Sequence, residues 1–152
     1  MGFDAKWLLA QEGRTQLMVR VLFVCIGNSC RSPMAEGFAN YYGKGFLVAS
    51  SAGVRPANII MSQTIEAMRE KGIDISAQTS KGLAGVDLKW MDWVVVLEGS
   101  LTKTIRLPSP RTRQVNWLIL DPIGQPMEVY RRVRDQIELN VLDLIDDIRK
   151  ES

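Results

Sequence analysis

The chain has 152 residues, of which 46% are hydrophobic and 24% charged, and its formal net charge is +2. That length suits one compact domain able to bury a core. The near balance of charge, with no Lys/Arg patch, argues against nucleic acid and anionic membrane as partners, and no apolar stretch approaches the roughly 20 residues of a membrane span.

Residues 1–17 have no basic start, a short apolar run (Trp7 to Ala10) and early charges at Glu12 and Arg14, so they do not read as a signal peptide. Lys6 occupies the place where a myristoylation signal needs Ser or Thr. This segment is read as an N-terminal extension without chemistry, a short amphipathic helix or an upstream start, and the domain proper is expected over 18–152. A cytoplasmic location is the default expectation. There thiols stay reduced, so a chemical role for the chain's two cysteines outranks a structural disulfide.

Val19 to Val24 is short, apolar and β-branched, as a buried strand of a parallel sheet should be. Pro33 can open a helix, expected to run to about Tyr42 and to stop at Gly43 and Gly45. The stretch 46–53 reads as a second strand. A helix is expected over 61–72, with Ile65 and Met68 inward and Gly72 at its end, and a shorter one over 83–89. The stretch 92–99 is the clearest buried strand. After a Pro/Arg-rich loop (106–114), 115–120 reads as a fourth strand. From about Met127 to Arg149, Val129, Val133, Ile137, Val141, Leu144 and Ile148 recur at helical spacing. On that helix Arg131, Arg132 and Arg134 lie among Glu128, Asp135 and Glu138, which reads as a solvated face with i,i+4 ion pairs. Strands alternating with helices imply a doubly wound parallel α/β sheet.

Both cysteines fall in "VCIGNSCRSPMAE", residues 24–36. In such a sheet, ligands bind beyond the carboxyl ends of the strands, at helix N-termini. Gly27 is expected to allow unusual backbone angles, so that the amides of Ile26, Gly27, Asn28, Ser29 and Cys30 converge on one centre and make an anion cradle with the helix start. Cys25 ends the strand with its sulfur towards that cradle. The same field favours thiolate, and such settings depress a cysteine pKa from about 8.5 to roughly 3.5–7.5. The fork of Arg31 can grip two oxygens of a tetrahedral oxyanion. Ser32 can donate to the thiolate, and Asn28 can brace the loop. Cys-x5-Arg alone is weak, since a cysteine ending a strand is commonly core. A zinc site is poorer, with two sulfurs and no histidine; no metal or cofactor is expected.

The stretch resembles the active-site loop, Cys-x5-Arg-Ser, of the low-molecular-weight protein tyrosine phosphatases and of the arsenate reductases built on the same fold. The resemblance runs from about Met18 to Ile148 through "SSAGV" (50–54), "EAMREKGIDISAQTS" (66–80), "DWVVVLEG" (92–99) and "VRDQI" (133–137). It implies a three-layer α/β sandwich with a four-stranded parallel sheet and about five helices. It also implies a cysteine-dependent phosphatase acting on phosphotyrosine or another aryl phosphate. Cys25 would be nucleophile and Arg31 oxyanion clamp, with phosphate, sulfate or arsenate as loop anions. An Asp-Pro after a strand is on its own an ordinary turn, but the resemblance makes Asp121 the general acid, then the base for hydrolysis of a phosphocysteine. It further implies that Cys30 can trap an oxidised Cys25 as a disulfide.

Arsenate reduction is the alternative the same resemblance implies. Glu98 stands where thioredoxin-coupled reductases carry a first resolving cysteine, and 100–105 supplies no second. Electrons would then come from a low-molecular-weight thiol or glutaredoxin. "NSCRS" and "GIDISAQTS" look reductase-like. Asn28, Glu36 and Ser51 match three residues of a monovalent-ion site in those reductases, with Lys81 in place of its Asp. Ile123 and Gly124 follow Asp-Pro where the phosphatases place tyrosines, and 54–60 offers no aromatic wall. A catalytically silent phosphate-binding module is a third class, disfavoured because binding alone needs neither nucleophile nor acid.

Overall fold

The computed structural model describes residues 18–151; the extension expected over 1–17 lies outside them. Four strands, β1 (Val19–Cys25), β2 (Leu47–Gly53), β3 (Trp93–Val96) and β4 (Arg113–Asn116), form one sheet in the order β2-β1-β3-β4. Every pairing is parallel. The direction of winding reverses between β1 and β3, the point at which open α/β sheets hold their ligands. Cys25 is the last residue of β1 and pairs with Gly53, the last of β2.

The expected α/β class and four-stranded parallel sheet hold. The helix count does not. Among the described residues there are three α-helices, α1 (Arg31–Tyr42), α2 (Ser62–Arg69) and α3 (Met127–Glu151), and three short 3-10 turns. The helix expected over 83–89 is two such turns, Leu83–Gly85 and Leu88–Trp90. Asp87 caps the second by accepting from the Lys89 amide, a local side-chain bond that favours turns over continuous helix.

The layering follows from strand alternation. Val21, Phe23 and Cys25 face the larger core, against Met34, Phe38 and Ala39 of α1, Met68 of α2 and Ile137, Val141 and Ile148 of α3. Leu22, Val24, Val94 and Val96 face the other way, covered by Leu83, Leu88, Leu101 and Leu107 from the turns and loops. All three long helices therefore pack on the Cys25 side of the sheet.

β4 is shorter than the expected 115–120. β3 ends at Val96, and the Trp117 amide makes the last rung to the Val96 carbonyl. Beyond it the chain has no strand to pair with. Ile119 turns inward and is buried, while Leu118 and Leu120 point out. Arg131 and Arg132 of α3 are exposed as expected, but Arg134 departs from the surface reading. Arg134 is buried and reaches Glu70 and the Ala67 carbonyl at the end of α2, and Arg131 grips the same Glu70. Both tie α3 to the end of α2, and Arg134 also pairs with Asp135 on its own helix at 2.9 Å.

Candidate active site

The loop from Ile26 to Cys30 is held open by its carbonyls. Those of Cys25, Ile26, Gly27 and Ser29 accept from the amides of Val54, Arg55, Ala57 and Met61 at 3.3, 2.9, 2.9 and 3.0 Å. Ser80 adds a hydroxyl to the Gly27 carbonyl at 3.1 Å. With the carbonyls turned outward, the N–H groups of Ile26 to Ser32 carry no backbone hydrogen bond within the described residues. Such amides are the kind that can receive an anion.

The left-handed backbone position is Asn28, with φ of 49°, and not Gly27, whose φ is not positive. Asparagine adopts this region more readily than most residues. The indispensable glycine is Gly53. A Cβ there would lie 2.5 Å from the Ile26 carbonyl oxygen and 2.8 Å from the Asn28 nitrogen. β2 thus approaches the loop as closely as a bare backbone permits.

Asn28 is fully buried and braces the site with every polar group of its amide. Its Nδ2 donates to Ser32 Oγ and to Ser51 Oγ, both at 2.8 Å, and its Oδ1 accepts from the Lys81 amide at 2.9 Å. Ser32 Oγ in turn lies 2.9 Å from Cys25 Sγ. Below, Ser51 donates to Glu36 Oε1 at 2.5 Å. Burial pushes the Glu36 carboxyl above its ordinary value, against the lowering effect of Ser51 and Lys81. The three residues matched to a monovalent-ion site are thus brought together, but an ion would compete for oxygens that already carry hydrogen bonds. Lys81 donates through Nζ to the Thr79 carbonyl at 3.3 Å.

Arg31 opens α1 and is 3% exposed. Its Nη1 donates to the carbonyls of Leu97 and Ile119 at 3.1 and 3.0 Å, beyond the ends of β3 and β4. Two carboxylates face the same guanidinium: Glu98 at 2.8 Å from Nη1 and Asp121 at 3.5 Å from Nη2. Asp121 does not end a strand as expected; it sits in the loop beyond β4. Its Oδ1 accepts from the Ile123 amide at 3.1 Å, a tight turn that aims Oδ2 at Arg31. Burial raises Glu98, but the Arg31 guanidinium and Ser100 outweigh it and hold the carboxyl below the ordinary value.

Cys25 and Cys30 are both free thiols and both buried. Burial pushes the Cys30 thiol up, so it rests protonated. Its neighbours are Ser29 Oγ and Tyr130 Oη at 3.8 and 3.9 Å.

The structure thus gathers Cys25, Arg31, Asp121, Asn28 and Ser32 around one loop. Sequence reasoning missed Gly53, Ser80 and the Glu98–Arg31 contact. Only Glu98 had a signal, its place straight after a strand on the rim that carries Cys25.

The low molecular weight phosphotyrosine protein phosphatase model matches residues 20–152. The chain is 40% identical over 134 residues to the glutaredoxin arsenate reductase of Synechocystis, covering 86% of this chain and 99% of that one. It resembles a solved arsenate reductase in its phosphate-binding state, at 39% identity and a TM-score of 0.75 over 86% of this chain and 99% of that chain. It also resembles a low-molecular-weight protein tyrosine phosphatase from T. tengcongensis, at 33% identity and a TM-score of 0.78 over 85% and 99%.

Proposed function

The chain belongs to the low molecular weight phosphotyrosine protein phosphatase family, and from that premise we propose that it reduces arsenate at Cys25 with electrons from an external thiol. One observation carries the reading. The loop turns its carbonyls outward and its amides inward around Cys25, opposite the Arg31 fork. That is a cradle for a tetrahedral oxyanion with a sulfur nucleophile at its base. The 40%-identical relative named a glutaredoxin arsenate reductase favours reduction over hydrolysis, reversing the order that the sequence resemblance implies.

In the first step the Cys25 thiolate attacks arsenic and an As–S bond forms. One arsenate oxygen leaves as water, its proton supplied by Asp121. The loop amides and Arg31 stabilise the remaining oxygens. The electrons must then come from outside. The chain has two cysteines, both in the loop, and Cys30 rests protonated. A thiolate of glutathione or glutaredoxin attacks Cys25 Sγ. The As–S bond breaks with its electron pair on arsenic, arsenite departs, and a mixed disulfide remains. A second thiol attacks that disulfide and frees Cys25. In sum, arsenate and two thiols become arsenite, one disulfide and water.

Hydrolysis of aryl phosphate monoesters is the second reading, favoured by Asp121. A carboxyl 3.5 Å from Arg31 is placed to protonate a leaving alkoxide or phenoxide, and its return as base would free Cys25 from a phosphocysteine. The two readings separate in parallel assays on reduced protein: arsenate with glutathione, glutaredoxin and an NADPH-coupled reductase, and p-nitrophenyl phosphate without them. Arsenate-dependent NADPH oxidation lost in Cys25→Ser supports reduction. Ester hydrolysis alone overturns it in favour of the phosphatase.

A further inference from the structure

Arg31 is held in place twice over, and one of those contacts does not fit a positioning role. Nη1 carries two protons, and the carbonyls of Leu97 and Ile119 accept them at 3.1 and 3.0 Å. Glu98 Oε1 is nearer still, at 2.8 Å, yet both protons are already directed elsewhere. Its contact at 2.8 Å therefore adds charge where the orienting bonds are already made. The two carbonyls suffice to orient the guanidinium. What Glu98 adds is a negative charge at the group that must receive an anion.

We propose that Glu98 competes with the incoming oxyanion for Arg31 and thereby sets how tightly the site holds any tetrahedral dianion. The inference rests on the reading that the loop binds oxyanions. Three features support it. Glu98 stands 2.8 Å from Arg31 and by itself matches the single positive charge before a dianion arrives, with Asp121 a second carboxyl at 3.5 Å. Nη2 and Nε, the remaining edge of the fork, make no hydrogen bond within the described residues, and Asp121 stands 3.5 Å from Nη2. Glu98 also has somewhere to go: a quarter of its side chain is exposed, and Ser100 Oγ donates to its Oε2 at 3.0 Å. A carboxylate with water and a hydroxyl waiting is displaceable; one anchored by directed bonds on all sides is not.

The consequence is a weak hold on phosphate and arsenate alike. The two are near-isosteric, so a charge at this distance penalises both by the same factor. The covalent step distinguishes substrate from bystander, because arsenic accepts a thiolate and then the electrons of a second thiol. A site that releases inorganic phosphate readily stays open for that event.

The test is binding of inorganic phosphate to reduced protein by titration calorimetry, with the Michaelis constant for arsenate measured beside it. Glu98→Gln keeps the shape and removes the charge; Glu98→Ala removes both. Each should bind phosphate about tenfold more tightly than wild type, as expected for removing a like charge at this range. The KM for arsenate should fall by the same factor, with no gain in kcat. Folded variants that bind phosphate no more tightly, or more weakly, overturn the proposal and make Glu98 a support for Arg31. Wild type that binds neither phosphate nor arsenate at millimolar concentration overturns the oxyanion reading and this inference together.

Discussion

Ser32 Oγ lies 2.9 Å from Cys25 Sγ while accepting from Asn28 Nδ2 at 2.8 Å. A hydroxyl that accepts from the asparagine keeps its own proton for the sulfur. Asn28, Ser32 and Cys25 thus form one hydrogen-bonded chain in which the Ser32 hydroxyl can donate to a thiolate, and Asn28 is locked into it by Ser51 and the Lys81 amide.

Ser32→Ala should lower kcat about tenfold to a hundredfold, the loss of one hydrogen bond to a charged group. KM should change little, because Ser32 faces the sulfur and not the substrate. Steady-state kinetics on arsenate measure the split. An unchanged kcat would detach Ser32 from the chemistry.

Gly53→Ala should destabilise the fold by about 1–3 kcal/mol, the usual cost of forcing atoms into a packed site. Its Cβ meets backbone atoms of Ile26 and Asn28 at 2.5 and 2.8 Å, and backbone cannot swing aside. Urea unfolding reads the loss, and phosphate binding should weaken with it as the loop distorts. A variant as stable as wild type would mean that the loop is free to retreat from β2.

Much of this was legible in the sequence. The β1 strand, the loop and the start of α1 announce themselves through a β-branched run, a Cys-x5-Arg-Ser spacing and a proline in the first turn. Cys25 does end β1. The end of β4 was not legible, because "VNWLIL" looks like a strand throughout and stops only for want of partners beyond Val96. The unusual backbone angles expected at Gly27 fall on Asn28 instead, against the usual preference for glycine. The conformation is set by the tertiary bonds of the asparagine side chain. Gly53 is invisible in sequence for the same reason: its need arises from Ile26, Gly27 and Asn28, far back in the chain, pressing on it.

The Glu36 carboxyl should make stability depend on pH. Its folded pKa is raised by burial above the ordinary 4.5, so the folded state holds a proton that the unfolded state releases. Stability from this group is complete below about 4.5 and is lost as pH rises through the folded value. Glu36→Gln removes that dependence. The difference in melting temperature, variant minus wild type, should grow as pH rises from about 4.5 towards neutrality. A difference that stays flat would show that Glu36 is ionised at its ordinary pKa.

Asp121→Asn should separate the two chemistries. Ester hydrolysis depends on a proton for the leaving oxygen, and loss of general acid–base help costs about a hundredfold to ten-thousandfold. Arsenate reduction loses less, since the leaving hydroxyl already carries one proton and solvent can supply the second that Asp121 otherwise gives. Equal losses in both assays would give Asp121 a role in binding rather than proton transfer.

Cys30 should guard Cys25 against peroxide. Its raised pKa makes it a poor nucleophile at rest, but a sulfenic acid on Cys25 gives it a partner in the same loop. Peroxide-inactivated wild type should recover fully with dithiothreitol, and Cys30→Ser should recover only in part. Equal recovery removes the guarding role.

The central claim is that Cys25 carries arsenate and an external thiol supplies the electrons. The most direct measurement is arsenite formed in a single turnover by fully reduced protein, with and without glutathione and glutaredoxin. The account predicts arsenite only when the thiols are present, and none from Cys25→Ser in either arm. Arsenite formed without them would show that the Cys25 and Cys30 pair is itself the reductant. Its absence from both arms would contradict arsenate reduction altogether.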